Sequence, residues 1–69
     1  MERLDNKKIG AKLRELRGDR SQAEIAEGAG VTAMAISQYE RGERIPNDVV
    51  KMRLAILFNK SVEELFFTL

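Results

Sequence analysis

The sequence predicts an all-α fold, a compact bundle of five helices in which helices 2 and 3 form a helix-turn-helix. Two observations predict this class: apolar residues recur at three- and four-residue intervals along most of the chain, and a good N-cap residue precedes each such stretch. No segment alternates apolar and polar residues as a strand does, and no linker divides the chain. We therefore expect a single domain over residues 1–69, with the motif at residues 22–41.

The first predicted helix spans residues 7–17 and is capped by Asp5 or Asn6. Gly10 lies inside it, where glycine costs about 1 kcal/mol relative to alanine. Its presence predicts that a neighbouring helix crosses closely there. The residues expected on the inward face are Ile9, Leu13 and Leu16.

The second helix begins at a capping box. Ser21 is followed three residues later by Glu24, so the serine hydroxyl can accept from the glutamate amide while the glutamate side chain bonds the serine amide. Gly30 is expected to end this helix, because glycine adopts the left-handed conformation without a Cβ clash. The apolar stripe between them is Ile25, Ala26 and Ala29.

The third helix is predicted to start at the N-cap Thr32 and to bury Ile36 and Tyr39. Exposed helix faces usually carry Lys and Glu, whereas the opposite face of this helix carries no charge. An uncharged face indicates a surface that contacts another molecule. The residues on that face are Ala33, Met34, Ser37 and Gln38.

The fourth helix begins after Pro46, with Asn47 as N-cap, and runs to about residue 58, where Asn59 can end it. Its apolar residues surround the whole cylinder, more than one core can bury. They are Val49, Val50, Met52, Leu54, Ala55, Ile56, Leu57 and Phe58. Some of them are therefore expected to contact a partner.

A second capping box, Ser61 with Glu64, begins a short fifth helix that offers Val62, Leu65 and Phe66 to the core. We predict a homodimer patch along one edge of the fourth helix, extended by the C-terminus. The alternatives are an apolar surface without a partner and a contact for a different protein. The residues of the predicted patch are Val49, Ile56, Phe66, Phe67 and Leu69.

Composition excludes several classes of function. The chain has 69 residues and no cysteine or histidine, so disulfides, thiolate sites and the usual zinc sites are absent, as is the commonest general base. We expect no cofactor, no metal, no small-molecule ligand and no enzymatic activity. Neither a membrane-spanning stretch nor a secretion signal is present, which predicts a cytoplasmic protein.

Charge is unevenly distributed. The net charge is +1; residues 1–20 hold seven Lys or Arg against four acids, and residues 21–48 hold two against five. A nucleic-acid partner would therefore depend on a few well-placed cations rather than on overall charge. The candidates for phosphate contact are Arg14, Arg20, Arg41 and Arg44, with Lys12 as a further one.

Residues 9–66 resemble the Cro and phage-repressor family of bacterial helix-turn-helix transcription regulators, the xenobiotic-response-element type. Counted from Gln22, the apolar fourth position, the small fifth position and the ninth-position glycine are present as Ile25, Ala26 and Gly30. The flanking segments that also match are LRELR at 13–17, YERG at 39–42, Pro46 and SVEELF at 61–66. The resemblance implies the lambda-repressor-like five-helix fold and a sequence-specific regulator that binds double-stranded DNA.

The resemblance also implies roles for single residues. Gln22 corresponds to a residue that anchors a phosphate. Arg17 corresponds to an arginine that pairs with Glu40. The alternative for Arg17 and Glu40 is two exposed charges that contribute little to stability. The expected base-contacting residues are Thr32, Ala33, Met34, Ser37 and Gln38. A glutamine amide suits adenine and apolar side chains suit thymine methyls, so we expect a site rich in A·T pairs.

The chain departs from the family pattern in three places. The connection between the first two helices is short, Gly18 to Arg20. Ala33 and Met34 stand where the family often has Gln, Arg or Asn, and Glu43 replaces a common lysine.

The expected function is that of a stand-alone repressor or Cro-like protein encoded by a bacterium, a phage or another mobile element. It would bind a palindromic operator in the nucleoid as a homodimer, formed either in free solution or only on DNA. The alternative is a protein-interaction module such as an antitoxin or an anti-repressor partner.

Overall fold

The computed structural model describes residues 5–67, and this part of the chain forms five α-helices and no strand. Their bounds are α1 Asn6–Arg17, α2 Gln22–Ala29, α3 Ala33–Glu40, α4 Asp48–Phe58 and α5 Val62–Phe66. The predicted all-α bundle is confirmed. No helix among these residues is long and apolar enough to cross a membrane.

The helices begin at N-caps that the sequence identifies. At α2 the Ser21 hydroxyl accepts from the Glu24 amide at 3.0 Å, and the Glu24 carboxylate accepts from the Ser21 amide at 3.0 Å. The capping box at Ser61 is equally reciprocal. Local hydrogen bonds thus set the helix starts before any tertiary contact is counted. The five N-caps are Asp5, Ser21, Thr32, Asn47 and Ser61.

A left-handed residue ends both α2 and α4. Gly30 has φ 73° and Asn59 has φ 54°. After Gly30 the Val31 amide donates to the Ala26 carbonyl at 3.0 Å, and Thr32 already caps the next helix. The turn between α2 and α3 is therefore three residues long, which fixes the angle at which α3 leaves the bundle.

One apolar core contains side chains from all five helices. α1 packs on α3 and α5, α2 packs on α3 and α4, and α4 packs on α5. Among residues 5–67, every fully buried residue with a large side chain is apolar, and no polar or charged residue belongs to this core. The buried apolar residues are Ile9, Leu13, Ile25, Ala26, Ala29, Ala35, Ile36, Tyr39, Val50, Leu54, Ala55, Phe58, Leu65 and Phe66.

The prediction that Phe66 belongs to an exposed dimer patch is wrong. Its side chain is 0 % exposed, because α5 packs against α1 and α4 with Leu65 and Phe66 in the core. Phe67 remains half exposed, at 50 %. Leu69 lies outside the described residues.

Gly10 marks the closest approach of α1 and α3. A Cβ at this position would lie 2.5 Å from the Tyr39 carbonyl oxygen and would also overlap the Glu40 carbonyl oxygen. Both neighbours are backbone atoms at the end of α3, so they cannot move aside independently. The close crossing that the sequence predicts is present.

Gly10→Ala is therefore expected to lower the free energy of unfolding by about 3 kcal/mol, since the methyl group must separate two packed helices. Gly28→Ala is the matched control, because its Cβ would meet only the Leu57 side chain, 2.7 Å from a terminal methyl that can rotate. That variant should stay within about 1 kcal/mol of wild type. Urea unfolding followed by circular dichroism measures both, and equal losses would contradict the close approach at Gly10.

Candidate nucleic-acid interface

The outward face of α3 carries the residues that the sequence assigns to base contact. Ala33 and Met34, in the first turn, are exposed, Met34 to 70 %. Ser37 and Gln38 lie one turn later and are half-buried. Thr32 caps the helix, its hydroxyl accepting from the Ala35 amide at 3.1 Å. The face is thus apolar and open at the start of α3, and polar and partly covered towards its end.

Ser37 is partly covered by Arg41. The Arg41 Nη1 donates to the Ser37 hydroxyl, while Nε and Nη2 donate to the two carboxylate oxygens of Glu43 at 2.9 and 3.0 Å. The hydrogen bond from Arg41 lowers the pKa of Glu43 below its ordinary value. In the free protein, Glu43 therefore neutralises an arginine that the sequence assigns to phosphate.

Gln38 is partly covered by Arg44. The Arg44 Nη1 donates to Gln38 Oε1 at 3.4 Å, and the guanidinium lies 5.8 Å from the centre of the Tyr39 ring. The bond to Oε1 leaves the amide nitrogen of Gln38 directed away from Arg44. Arg44 therefore orients the side chain that is the best candidate for a hydrogen bond to a base edge.

The carboxylate of Glu40 joins three helices. Its Oε2 accepts from Arg17 Nε at 2.7 Å, and its Oε1 accepts from Arg17 Nη2 at 3.1 Å and from Gln22 Nε2 at 2.9 Å. Arg17 ends α1, Gln22 begins α2 and Glu40 ends α3. The predicted ion pair is present in its half-buried form, with side chains 17 % and 6 % exposed. We call these three residues the Glu40 cluster.

Near neutral pH, Glu40 is deprotonated and Arg17 is protonated, so both residues of the ion pair are charged. Burial by itself raises the pKa of Glu40, but hydrogen bonds from Arg17 and Gln22 outweigh it and keep that pKa below its ordinary value. The hydrogen bond to Glu40 raises the pKa of Arg17.

Sequence reasoning missed the bond between Gln22 and Glu40. It treated Gln22 only as a solvent-facing phosphate anchor. The two residues are 18 positions apart and belong to different helices, so no helical spacing relates them. The contact follows only once α2 and α3 are docked.

An open depression of about 270 Å³ lies beside the Glu40 cluster, between α1, α2 and α3. It brings together three of the predicted phosphate-contacting residues and one predicted base-contacting residue. We call it the arginine-lined depression, since three guanidinium groups surround one carboxylate. Its lining residues are Arg14, Arg17, Gln22, Ser37, Glu40 and Arg41.

Arg20 lies apart from this depression. Its guanidinium is 5.4 Å from the centre of the Phe58 ring, and its Nη2 donates to the Leu16 carbonyl at 3.0 Å. These contacts fold the side chain back over the short connection between α1 and α2. A role in phosphate contact would require Arg20 to leave them.

An apolar stripe is exposed on α4. Val49, Met52 and Ile56 are 54 %, 57 % and 78 % exposed, and their spacing of three and four residues places them on one face. We call these three residues the α4 apolar stripe. Met52 was not included in the predicted dimer patch, although the same spacing identifies it. Phe67 is also exposed, with the Lys51 ammonium 5.2 Å from its ring centre.

Comparison with known proteins identifies the family. The model of a family described as helix-turn-helix matches residues 11–65. The chain belongs to the helix-turn-helix family. One relative of this helix-turn-helix chain is the ImmF control region 10 kDa protein of Bacillus phage phi105, which is 33 % identical over 67 residues, covering 94 % of this chain and 74 % of the relative.

Two solved structures resemble this helix-turn-helix chain closely. The P22 c2 repressor protein, in complex with synthetic operator 9T, has a TM-score of 0.81 and 32 % identity over 83 % of this chain and 89 % of that one. The restriction-modification controller protein C.AhdI from Aeromonas hydrophila has a TM-score of 0.79 and 34 % identity over 90 % and 93 %. The resemblance to the Cro and phage-repressor family is confirmed.

The Glu40 cluster predicts an acid-dependent loss of stability. Because the folded protein lowers the pKa of Glu40 below the ordinary 4.5, the stabilisation is complete above that value and is lost as the pH falls through the folded-state pKa. Glu40→Gln should lower the free energy of unfolding by about 2 kcal/mol at pH 7. Urea unfolding across pH should show this difference shrinking on acidification.

Glu27→Gln, which removes an exposed carboxylate of α2, is the control for that experiment and should stay near wild type at pH 7. A Glu40→Gln deficit that persists unchanged below the folded-state pKa would show that the charge of Glu40 does not stabilise the fold.

Proposed function

We propose that this chain is a transcription regulator that binds double-stranded DNA sequence-specifically, a repressor or Cro-like protein with α3 in the major groove. The observation that carries the proposal is the outward, uncharged face of α3 within a helix-turn-helix. In such motifs the first residues of the second helix contact base edges. Here those residues, Ala33 and Met34, are exposed.

The outward face of α3 would recognise the base sequence through few hydrogen bonds. Ala33 and Met34 offer apolar contact, which suits thymine methyl groups. Gln38 can donate to adenine N7 and accept from N6; its oxygen has a second lone pair, so the bond from Arg44 can persist. Thr32 and Ser37 complete the proposed contact surface. An A·T-rich half-site is the result.

Phosphate contacts are proposed on both sides of this face. Arg14, Gln22 and Arg41 lie around the arginine-lined depression, and Arg44 follows α3. Arg20 is retained as a weaker candidate, because its side chain already contacts Phe58 and the Leu16 carbonyl.

We propose a dimer through the α4 apolar stripe, with the exposed Phe67 as a further apolar contact. A second copy would cover these side chains and place two α3 helices about 34 Å apart, one turn of DNA, which suits a palindromic operator.

Selection from a pool of random duplexes, read by sequencing, tests the function. The expected product is an A·T-rich palindrome with half-site centres about 10 base pairs apart. Absence of any enriched sequence, with the folded wild-type protein, would overturn the proposal and favour a protein-interaction module such as an antitoxin or anti-repressor partner.

Two substitutions separate base contact from phosphate contact on the selected duplex. Gln38→Ala should lower affinity for that duplex about tenfold and leave affinity for random DNA nearly unchanged. Arg41→Ala should weaken binding to both and reduce the salt slope by about one unit. Fluorescence anisotropy titrations at several salt concentrations measure both effects. Equal losses on both duplexes for Gln38→Ala would mean that Gln38 contacts phosphate instead.

Ile56→Glu should shift the complex on the selected palindrome from two copies to one, because it places a charge at the most exposed residue of the α4 apolar stripe. Sedimentation with and without DNA measures the shift. Ala11→Glu, the same change of charge at an exposed position of α1, is the control and should leave the stoichiometry at two. A palindrome still occupied by two copies of Ile56→Glu, bound as tightly as by wild type, would contradict the proposed interface.

A further inference from the structure

We infer that Glu40 is a positioning residue for DNA contact, and that its bond to Gln22 holds the Gln22 amide where it donates to one phosphate of the backbone. This inference rests on the proposed function. The ion pair between Arg17 and Glu40, which joins α1 to α3, would then contribute to DNA binding as well as to stability.

The bonds within the Glu40 cluster leave one amide hydrogen of Gln22 available. The amide nitrogen of Gln22 carries two hydrogens, of which Glu40 Oε1 accepts one over 2.9 Å. The second hydrogen remains for a phosphate at the edge of the arginine-lined depression, which Gln22 lines. The amide of Gln22 therefore bonds its own protein and a ligand at the same time.

Fixing Gln22 in advance affects binding because its side chain has three rotatable bonds. Ordering such a side chain at the moment of association opposes binding, and a side chain already ordered in the free protein avoids most of that cost. Glu40 itself is rigid, since its side chain is 6 % exposed and bonded twice by the Arg17 fork. The bond thus transfers this rigidity to Gln22.

A carboxylate beside a phosphate would ordinarily repel it, and here the repulsion is offset. Both oxygens of Glu40 are bonded by Arg17 at 2.7 and 3.1 Å. Arg14 and Arg41 line the same depression without contacting that carboxylate through a hydrogen bond. The charge of Glu40 is therefore balanced by Arg17, Arg14 adds a further cation to the same depression, and Glu40 acts on DNA through Gln22 rather than by its charge.

A double-mutant cycle on the selected duplex tests the inference. Gln22→Ala should lower affinity about tenfold in the wild-type background, as expected for a hydrogen bond to a charged group. In the Glu40→Ala background the same change should cost less than about twofold, because the amide is no longer positioned. Arg17→Lys perturbs the ion pair but leaves the bond between Gln22 and Glu40, so the full effect of Gln22→Ala should persist there.

Methylphosphonate substitution, one phosphate at a time, gives a second readout that a purely structural role would not change. In wild type several positions per half-site should lose affinity when neutralised, and at one of them, the phosphate that Gln22 contacts, Gln22→Ala and Glu40→Ala should both abolish the effect. The remaining phosphate positions should respond as in wild type. Circular dichroism at the assay temperature verifies that each variant is folded.

A measurement on the wild-type protein keeps the inference testable if Glu40→Ala does not fold. The side-chain ¹⁵N order parameter of Gln22 in the free protein should exceed that of Gln38, whose bond to the exposed Arg44 is longer, at 3.4 Å. A Gln22 amide as mobile as Gln38, or an undiminished Gln22→Ala effect in the Glu40→Ala background, would overturn the positioning role. Failure of the wild type to bind any duplex would instead overturn the proposed function.

Discussion

The orientation of α3 depends on how its C-terminal end is attached to the bundle. Two contacts attach it: the backbone of Tyr39 and Glu40 lies against Gly10, and the Glu40 carboxylate bonds Arg17 and Gln22. The other end of α3 is set by the short turn after α2. Because neither attachment uses the outward face, residues on that face can change without loss of the fold. The inner side of α3 thus contributes to stability, and the DNA sequence preference that we propose depends on its outward side.

Much of the fold follows from the sequence because its signals are local. Ser21 with Glu24 and Asn59 identify helix ends by bonds within a few residues, and the structure has these ends. Phe66 was misplaced because a short helix with consecutive apolar residues, followed by Phe67, has too few turns to define an inward face. Packing against α1 and α4 decides which of the two phenylalanines is buried.

The site was less predictable, because its electrostatics depend on contacts between side chains and on docking between helices. Resemblance identified the Arg17 and Glu40 pair, but composition alone treated each arginine as a free cation. In the structure Arg41 is bonded to Glu43, and Arg20 is folded against Phe58. The useful positive charge is therefore smaller than a count of arginines indicates. Because the outward face of α3 is also uncharged, such a protein would gain little affinity for random DNA. This favours discrimination between its own site and other sequences.

The size of the α4 apolar stripe determines when two copies would associate. The stripe and Phe67 provide only four partly exposed apolar side chains per copy, whereas a standard interface involves about 20 to 30 residues a side. A stable interface usually buries about 800 Å² per partner. The stripe alone is thus too small for a tight dimer in free solution. A palindrome that binds two copies side by side raises their effective concentration to the millimolar range, where so small an interface suffices. Occupancy of the proposed operator would then rise more steeply than linearly with protein concentration, which would give the regulator a switch-like response.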